Sequence, residues 1–226
     1  EGLVHCWPMV YILRNDAEAY IGQTTSVIRR MGQHAVNPEK SAFNRADVIY
    51  NSEFNASAIT SYESRLIQLM DADGVFRITN KIEGMENLDY FSREEYDEMF
   101  YELWEELRRH DLVRGTIGDI EETELFKYSP YKALTDDQHV ALEKILGIIE
   151  NDHNQGKPEP LVVRGMPGTG KTVLAIYLLK MLKDDDKYKD LKVKLVISPT
   201  ALRSSIQDVF SRVSNLNRND VIGPAD

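Results

Sequence analysis

The chain has 226 residues, 42% hydrophobic and 28% charged, which is enough apolar material for a buried core and leaves room for two modest units. No stretch approaches the roughly 20 apolar residues that span a bilayer, and Glu1-Gly2-Leu3-Val4 lacks the basic-then-apolar order of a signal peptide, so a cytoplasmic location is expected. The net charge of −10 argues against general adhesion to nucleic acid, but residues 1–90 carry 8 basic and 12 acidic side chains, 91–124 carry 4 and 12, and 125–226 carry 15 and 13, so any contact with phosphates falls to the flanks rather than the acidic middle.

The single cysteine, Cys6, has no internal disulfide partner and supplies no zinc-site spacing; it reads as a core residue. The missing initial Met and the loop-like Ile222-Gly223-Pro224-Ala225-Asp226 lead us to expect a piece of a longer protein.

In chain order, Val10-Tyr11-Ile12-Leu13 is a short apolar strand, Arg14 to Glu18 a turn, and Ala19-Tyr20-Ile21-Gly22 the return strand of a β-hairpin. Thr25 to His34 has helical spacing, residues 35–57 read as polar and irregular, and a second helix is expected from about Ala58 to Met70, ended by Asp71 to Gly74. Ser92-Arg93-Glu94-Glu95 reads as a capping box, opening an amphipathic helix whose face carries Tyr96, Met99, Phe100, Leu103, Trp104 and Leu107. That stripe is assigned to docking between the two units, with Gly115 to Pro130 as linker. Thr135-Asp136-Asp137-Gln138 opens another helix, with Ala141, Leu142, Ile145 and Ile149 inside and a break over Asn151 to Pro160. A strand at Leu161-Val162-Val163-Arg164, a helix from Lys171 to Lys183 and a strand at Lys194 to Ser198 then predict a βαβ unit, with Asp184 to Lys187 as a solvated loop.

Between the first of those strands and its helix lies Gly165-Met166-Pro167-Gly168-Thr169-Gly170-Lys171-Thr172, the pattern G-x-x-x-x-G-K-[ST]. Glycines let the backbone N–H groups curl toward phosphate oxygens at a helix N-terminus. Lys171 is expected to reach the β- and γ-phosphates of ATP, and Thr172 to ligate Mg²⁺. With Gln138 upstream and Ser198-Pro199-Thr200 downstream, the stretch resembles the opening of a superfamily 1 helicase motor. The resemblance implies that Gln138 reads adenine and that Ser198-Pro199-Thr200 contacts a single strand, although Ser-Pro-Thr also suits a helix entry. No acidic Walker B strand follows residue 200, so binding of nucleotide is expected without efficient hydrolysis.

In the first unit, Tyr11, Tyr20, Arg30, His34 and Glu63 are residue types suited to phosphodiester cleavage: a carboxylate for a metal, an Arg for the phosphate and phenols to orient or deprotonate water. Met9-Val10-Tyr11, Tyr20-Ile21-Gly22, Arg30, His34, Glu63 and Asn80, in that order over roughly residues 8–85, resemble the GIY-YIG nuclease family, with Met9 in place of the first-motif glycine. The resemblance implies a small three-stranded antiparallel sheet flanked by helices, one Mg²⁺ or Mn²⁺ on Glu63, catalytic roles for Tyr11, Tyr20, Arg30 and His34, and Asn80 closing the site. Tyr11 would act as, or help form, the general base, its pKa lowered by metal-bound water or by Arg30.

The expected class is mixed α/β: a nuclease-like unit over 1–90, an acidic helical linker over 91–130 and the start of a parallel, helix-flanked phosphate-loop domain over 131–226. The expected function is metal-dependent endonucleolytic hydrolysis of DNA coupled to an ATP-dependent helicase-like motor, in bacterial defence against foreign DNA or in repair. The alternatives are a catalytically idle, nucleotide-gated module that binds branched DNA, and an RNA nuclease.

Overall fold

Residues Met9–Arg14 (β1) and Glu18–Thr24 (β2) form an antiparallel hairpin whose turn is closed by Asn15, its Oδ1 accepting from the backbone N–H groups of Ala17 at 2.9 Å and Glu18 at 2.8 Å. The structure, a computed structural model, describes residues 7–80, 93–131, 134–155 and 160–225. On its other side β1 pairs antiparallel with Arg45–Tyr50 (β3), and the short Arg77–Ile78 (β4) runs parallel to β2, giving the order β3-β1-β2-β4. The expected antiparallel trio is therefore present, but it carries a parallel fourth strand. Its third member lies in the stretch read as irregular, because Ile49 is the one buried residue of an edge strand that otherwise meets solvent.

Helices α1 (Val27–Ala35) and α2 (Ala56–Asp73) follow. α2 extends past both expected ends: the Asn55 side chain caps it by accepting from the Ala58 N–H at 2.9 Å, and Gly74, at φ 71°, stops it in the left-handed region that glycine adopts without strain. Val10, Ile12, Ile21 and Ile49 pack from one sheet face against Ile59, Tyr62 and Leu66 of α2. The other face carries Met9, Tyr11, Leu13 and Tyr20.

The aromatic face of α3 (Arg93–Arg109) is buried largely against α2. Tyr62 donates from its hydroxyl to the Tyr96 carbonyl at 2.7 Å, the Arg65 guanidinium lies 3.9 Å over the Phe100 ring, and Trp104 Nε1 donates to the Gly115 carbonyl at 3.0 Å. The expected role of this stripe in joining two units is thus corrected. The joining is done by the linker, which is itself helical: α4 (Ile117–Glu121) and α5 (Glu124–Lys127) are capped by Thr116 and Thr123, and α5 touches both α2 and a later helix, α8 (Thr200–Phe210). The Ser92 capping box, Cys6 and residues 81–85 lie outside the described residues.

Helix α6 (Asp136–Gln155) runs past the predicted break at Asn151, and α7 (Lys171–Asp184) begins at the phosphate loop. The βαβ unit is not formed among the described residues. Only Leu195–Val196 (β5) and Val221–Ile222 (β6) pair there, in parallel, and Leu161, Val162 and Val163 are 44%, 73% and 44% exposed with no strand beside them. A β-branched run becomes a strand only when a neighbour takes its N–H and C=O groups.

Behind the sheet, α2, the linker and α7 meet in a buried polar junction. Ser129 Oγ donates to Asp71 Oδ2 at 3.0 Å, and Lys180 Nζ reaches both carboxylate oxygens of Asp184 at 2.6 Å, with both side chains at most 5% exposed. The expected solvated role of Asp184 is therefore corrected: an i,i+4 partner on its own helix draws it inward. Burial pushes the Asp71 carboxyl up to about 7, against the opposing pull of Ser129, Lys180 and Arg212. A carboxyl raised on folding binds its proton more tightly in the native state, so its contribution is full below the ordinary value of 3.8 and is lost as pH rises toward about 7. The Asp71→Asn variant should gain stability relative to the wild type as pH is raised from about 4 to 8. Urea titrations across that range check the sign; a difference that shrinks with pH would contradict it.

Candidate functional site

The hairpin register sets Tyr11 opposite Gly22, and the Tyr11 ring crosses directly over that glycine: a Cβ on Gly22 would stand 2.3 Å from the phenol oxygen. Gly22 is thus required for space. α1 then lays two side chains one turn apart over the phenol: Arg30 Nε donates to the Tyr11 oxygen at 3.1 Å, and His34 Nε2 lies 2.8 Å from it. Because Arg30 only donates, the phenol accepts from it and its own proton is free to point at His34. Tyr20 completes the cluster, its ring 6.4 Å from that of Tyr11 and 5.7 Å from that of His34.

Tyr11 has no exposed surface, and burial holds its pKa above the ordinary phenol value; Arg30 opposes the rise and the Glu63 charge adds to it. The expected lowering is corrected: desolvation of the phenolate outweighs the guanidinium. His34 is shifted down by burial and by the positive charges of Arg30 and Lys40, so its neutral form persists to lower pH than for an exposed imidazole.

Glu63 is half-buried on α2, close enough to Tyr11 for its charge to be felt. Among the described residues no three His, Cys, Asp or Glu side chains converge on a metal position. A hard divalent cation held by one carboxylate, water and phosphate oxygens is compatible with this set. Asn80 does not face the phenols. It is buried beneath β2, its Oδ1 accepting from the Ile21 N–H at 3.0 Å and its Nδ2 donating to the Ile21 carbonyl at 2.7 Å.

Two residues that sequence reasoning missed complete this picture. Lys40 Nζ stands 3.3 Å over the Tyr20 ring, delivered by the helical turn Pro38–Lys40. Tyr131 places its hydroxyl 3.3 Å and 3.2 Å from the carbonyls of Ile78 and Asn80. Pro38 was the available signal for the first, since proline favours the opening of a turn; nothing local marks the second.

The other cluster surrounds the glycine-rich loop at residues 165–172. Gly168 and Gly170 have φ of 82° and 76°, the left-handed conformation that lets the loop curl before α7. Thr169 bonds back to the Met166 carbonyl at 2.9 Å and leaves no room for a Cβ on Gly165, which would meet Thr169 Oγ1 at 2.8 Å. Met166 and Pro167 are exposed at the loop tip, and Lys171 folds over it, donating to the carbonyls of Gly165 at 2.9 Å and Met166 at 2.7 Å. Thr172 is half-buried in the first turn of α7. Gln138 closes the capping box with Thr135 and also donates to the Thr169 carbonyl at 3.1 Å, over Gly170, where a Cβ would lie 2.4 Å from its Nε2. Gln138, Gly165, Gly168, Thr169, Gly170 and Lys171 line an open cleft of about 580 Å³ with Leu174 and Val163 as apolar wall, while Met166, Pro167 and Thr172 lie outside its lining. Ser198-Pro199-Thr200 is exposed at the start of α8, well away from the phenols in sequence and element.

Placing a methyl under the phenol should be costly: Gly22→Ala is expected to destabilise the chain by about 1–3 kcal/mol by overpacking. Truncating the ring as well, in Gly22→Ala with Tyr11→Ala, should recover none of the lost core but should abolish the clash, so the two changes combine less than additively in a thermal-denaturation cycle. Strict additivity would contradict the close approach. No protein family, curated protein or solved structure matches the chain.

Proposed function

We propose that the chain is a divalent-metal-dependent endonuclease of GIY-YIG type that hydrolyses DNA phosphodiester bonds, joined to an ATP-binding, helicase-like phosphate-loop unit. The observation that carries this reading is the Tyr11 phenol bridged between Arg30 and His34, 3.1 Å and 2.8 Å away, with Glu63 nearby. Met9, Tyr11 and Leu13 are buried on this face, but apolar packing alone does not call for a guanidinium and an imidazole on one phenol oxygen. Bacterial defence against foreign DNA, or repair, suits a nuclease driven along DNA by a motor.

Arg30 meets the substrate first, since Tyr11 is covered. In turning from the phenol to a phosphate oxygen, its guanidinium neutralises charge on the phosphorus centre and uncovers Tyr11. Tyr11 then takes a proton from the attacking water while passing its own to His34 Nε2, so no free phenolate forms and the raised phenol pKa is no obstacle. The Tyr20 ring packs against the imidazole, and burial with the charges of Arg30 and Lys40 favours its neutral form. Glu63 would hold Mg²⁺ or Mn²⁺, which when bound supplies Lewis-acid stabilisation of the phosphate and leaving group. At the other site Lys171 exchanges the loop carbonyls for the β- and γ-phosphates of ATP, Thr172 would hold its Mg²⁺, and Gln138 lies where an adenine can be read.

Labelled single-stranded, flapped and duplex DNA incubated with Mn²⁺ or Mg²⁺ should yield products that Tyr11→Phe and Arg30→Ala reduce by about 10²-fold or more and Glu63→Ala abolishes. Intact DNA under all conditions would leave a binding module. The proton acceptor His34 must be neutral, and its pKa is lowered, so kcat/KM should hold as pH falls through 6.5 and decline only below the ordinary imidazole range. A decline beginning above pH 7 would remove His34 from that role.

A further inference from the structure

The sheet face that holds Tyr11 does not end at the phenol. Antiparallel register places Val48 of β3 opposite Tyr11 and Tyr50 opposite Met9. Side chains alternate along a strand, so Val48 and Tyr50 share the face of Tyr11 while Ile49 turns into the α2 core. Met9 and Tyr11 are covered, but Val48 and Tyr50 are 49% and 48% exposed. Trp7 stands edge-on to Tyr50 with ring centroids 6.5 Å apart, and its indole N–H is fixed by a 3.0 Å bond to the Asn51 carbonyl. The result is a held aromatic shelf on the open edge of the sheet, on the face that carries the phenol and on the β3 side of β1, whereas the Tyr11 oxygen lies over Gly22 on the β2 side.

The charge on the other flank says what such a shelf adjoins. In a chain of net charge −10, residues 19–44 carry Arg29, Arg30 and Lys40 against the single acid Glu39. Arg29 is exposed, Arg30 and Lys40 half-exposed beside the phenols. Cations on one side of the phenol and partly exposed rings on the other match a phosphodiester strand whose base is turned out of its stack: the phosphate is held by the guanidinium and the base lies on the ring. In a duplex the bases are occupied with one another, and such a shelf offers them nothing. From Val48 to Tyr50 is two residues of strand, about 7 Å, comparable with one step of an extended single strand.

Resting on the nuclease reading above, we propose that Tyr50, Val48 and Trp7 form a stacking subsite for an unpaired base next to the scissile phosphate, and that the substrate is DNA with a single-stranded stretch at the cut. Tyr50 supplies the platform, and Trp7 holds its ring angle.

Binding without cleavage separates this proposal from the nuclease reading. With the Glu63→Gln chain, dye-labelled single-stranded or flapped DNA should bind about tenfold more tightly than blunt duplex, and Tyr50→Ala should remove that advantage while leaving duplex binding unchanged. Tyr50→Phe should restore it. Single-stranded DNA should quench tryptophan emission, because Trp7 is half-exposed and the other tryptophan, Trp104, is fully buried; Trp7→Phe should lose the quench. Equal affinity for duplex and single strand, or an unchanged Tyr50→Ala, overturns the subsite even where wild-type cleavage stands. Sedimentation that shows a dimer broken by Tyr50→Ala overturns it in favour of an interface between copies. Failure of every DNA to bind overturns both readings.

Discussion

Asn80 makes with its side-chain amide the two hydrogen bonds that another residue of β4 would have made with its backbone, and the candidate site rests on them. Its partner is Ile21, both N–H and carbonyl, at 3.0 Å and 2.7 Å. Ile21 stands between Tyr20, whose ring faces the imidazole, and Gly22, over which Tyr11 lies. Unpaired, each of those buried groups would cost about 1–3 kcal/mol. β4 itself is two residues long, and beside the Asn80 amide this edge is held by the backbone N–H groups of Arg77 and Thr79, which donate to the carbonyls of Ala17 and Ala19 at 2.9 Å. That amide is in turn positioned from behind by Tyr131, whose hydroxyl lies against the carbonyls of Ile78 and Asn80.

Tyr131 carries the dependence further. Its ring is 5.7 Å from Lys180 Nζ, and its hydroxyl is 3.4 Å from Ser214 Oγ, so linker, α7 and the segment after α8 meet on one buried side chain. α7 begins at Lys171 in the phosphate loop and ends at Asp184 in this junction. One helix therefore has Lys171 of the glycine-rich loop at its first residue and the buried Lys180–Asp184 pair at its other end, Lys180 about 14 Å away at the rise of an α-helix. One physical connection between the two clusters runs along α7, Tyr131 and Asn80, beside the packing of α5 on α2 and α8. The aromatic face of α3 lies off that line, its rings committed to α2 and to the turn at Gly115.

What the sequence made legible follows from which constraints are local. A tight turn fixes hairpin register, so Tyr11, Tyr20 and Gly22 could be placed together from spacing, and Arg30 and His34 follow because one helical turn separates them. β3 could not be read, since an exposed edge strand carries no alternating apolar pattern beyond Ile49. Leu161-Val162-Val163 failed in the opposite direction: its composition suits a strand, yet pairing belongs to two segments and composition reports on one. Asn80 was expected to close the site, and its bonds to the backbone of Ile21 could not be read locally, because that partner is 59 residues away. Asp184 looked like the start of a charged loop until the burial of Lys180, which nothing local predicts, drew it inward.

The burial of Tyr11 decides between two ways a phenol can serve a hydrolysis. As a free base it would need an ionised form stable near neutrality, and desolvation works against that more strongly than Arg30 works for it. As a relay it needs only an acceptor in line and a donor that stabilises the oxygen while the proton is in transit. Arg30 Nε and His34 Nε2 are those two groups, and the cations that lower the His34 pKa are the same ones that attract a phosphate. A low imidazole pKa weakens His34 as a base in isolation. Once an anionic phosphate lies against Arg30 and Lys40 their charge is offset, and the proton affinity of His34 rises at the moment the substrate is in place. On the proposed reading the cluster would be poorly basic when empty and more basic when occupied, which would couple proton acceptance to the presence of the bond to be cut.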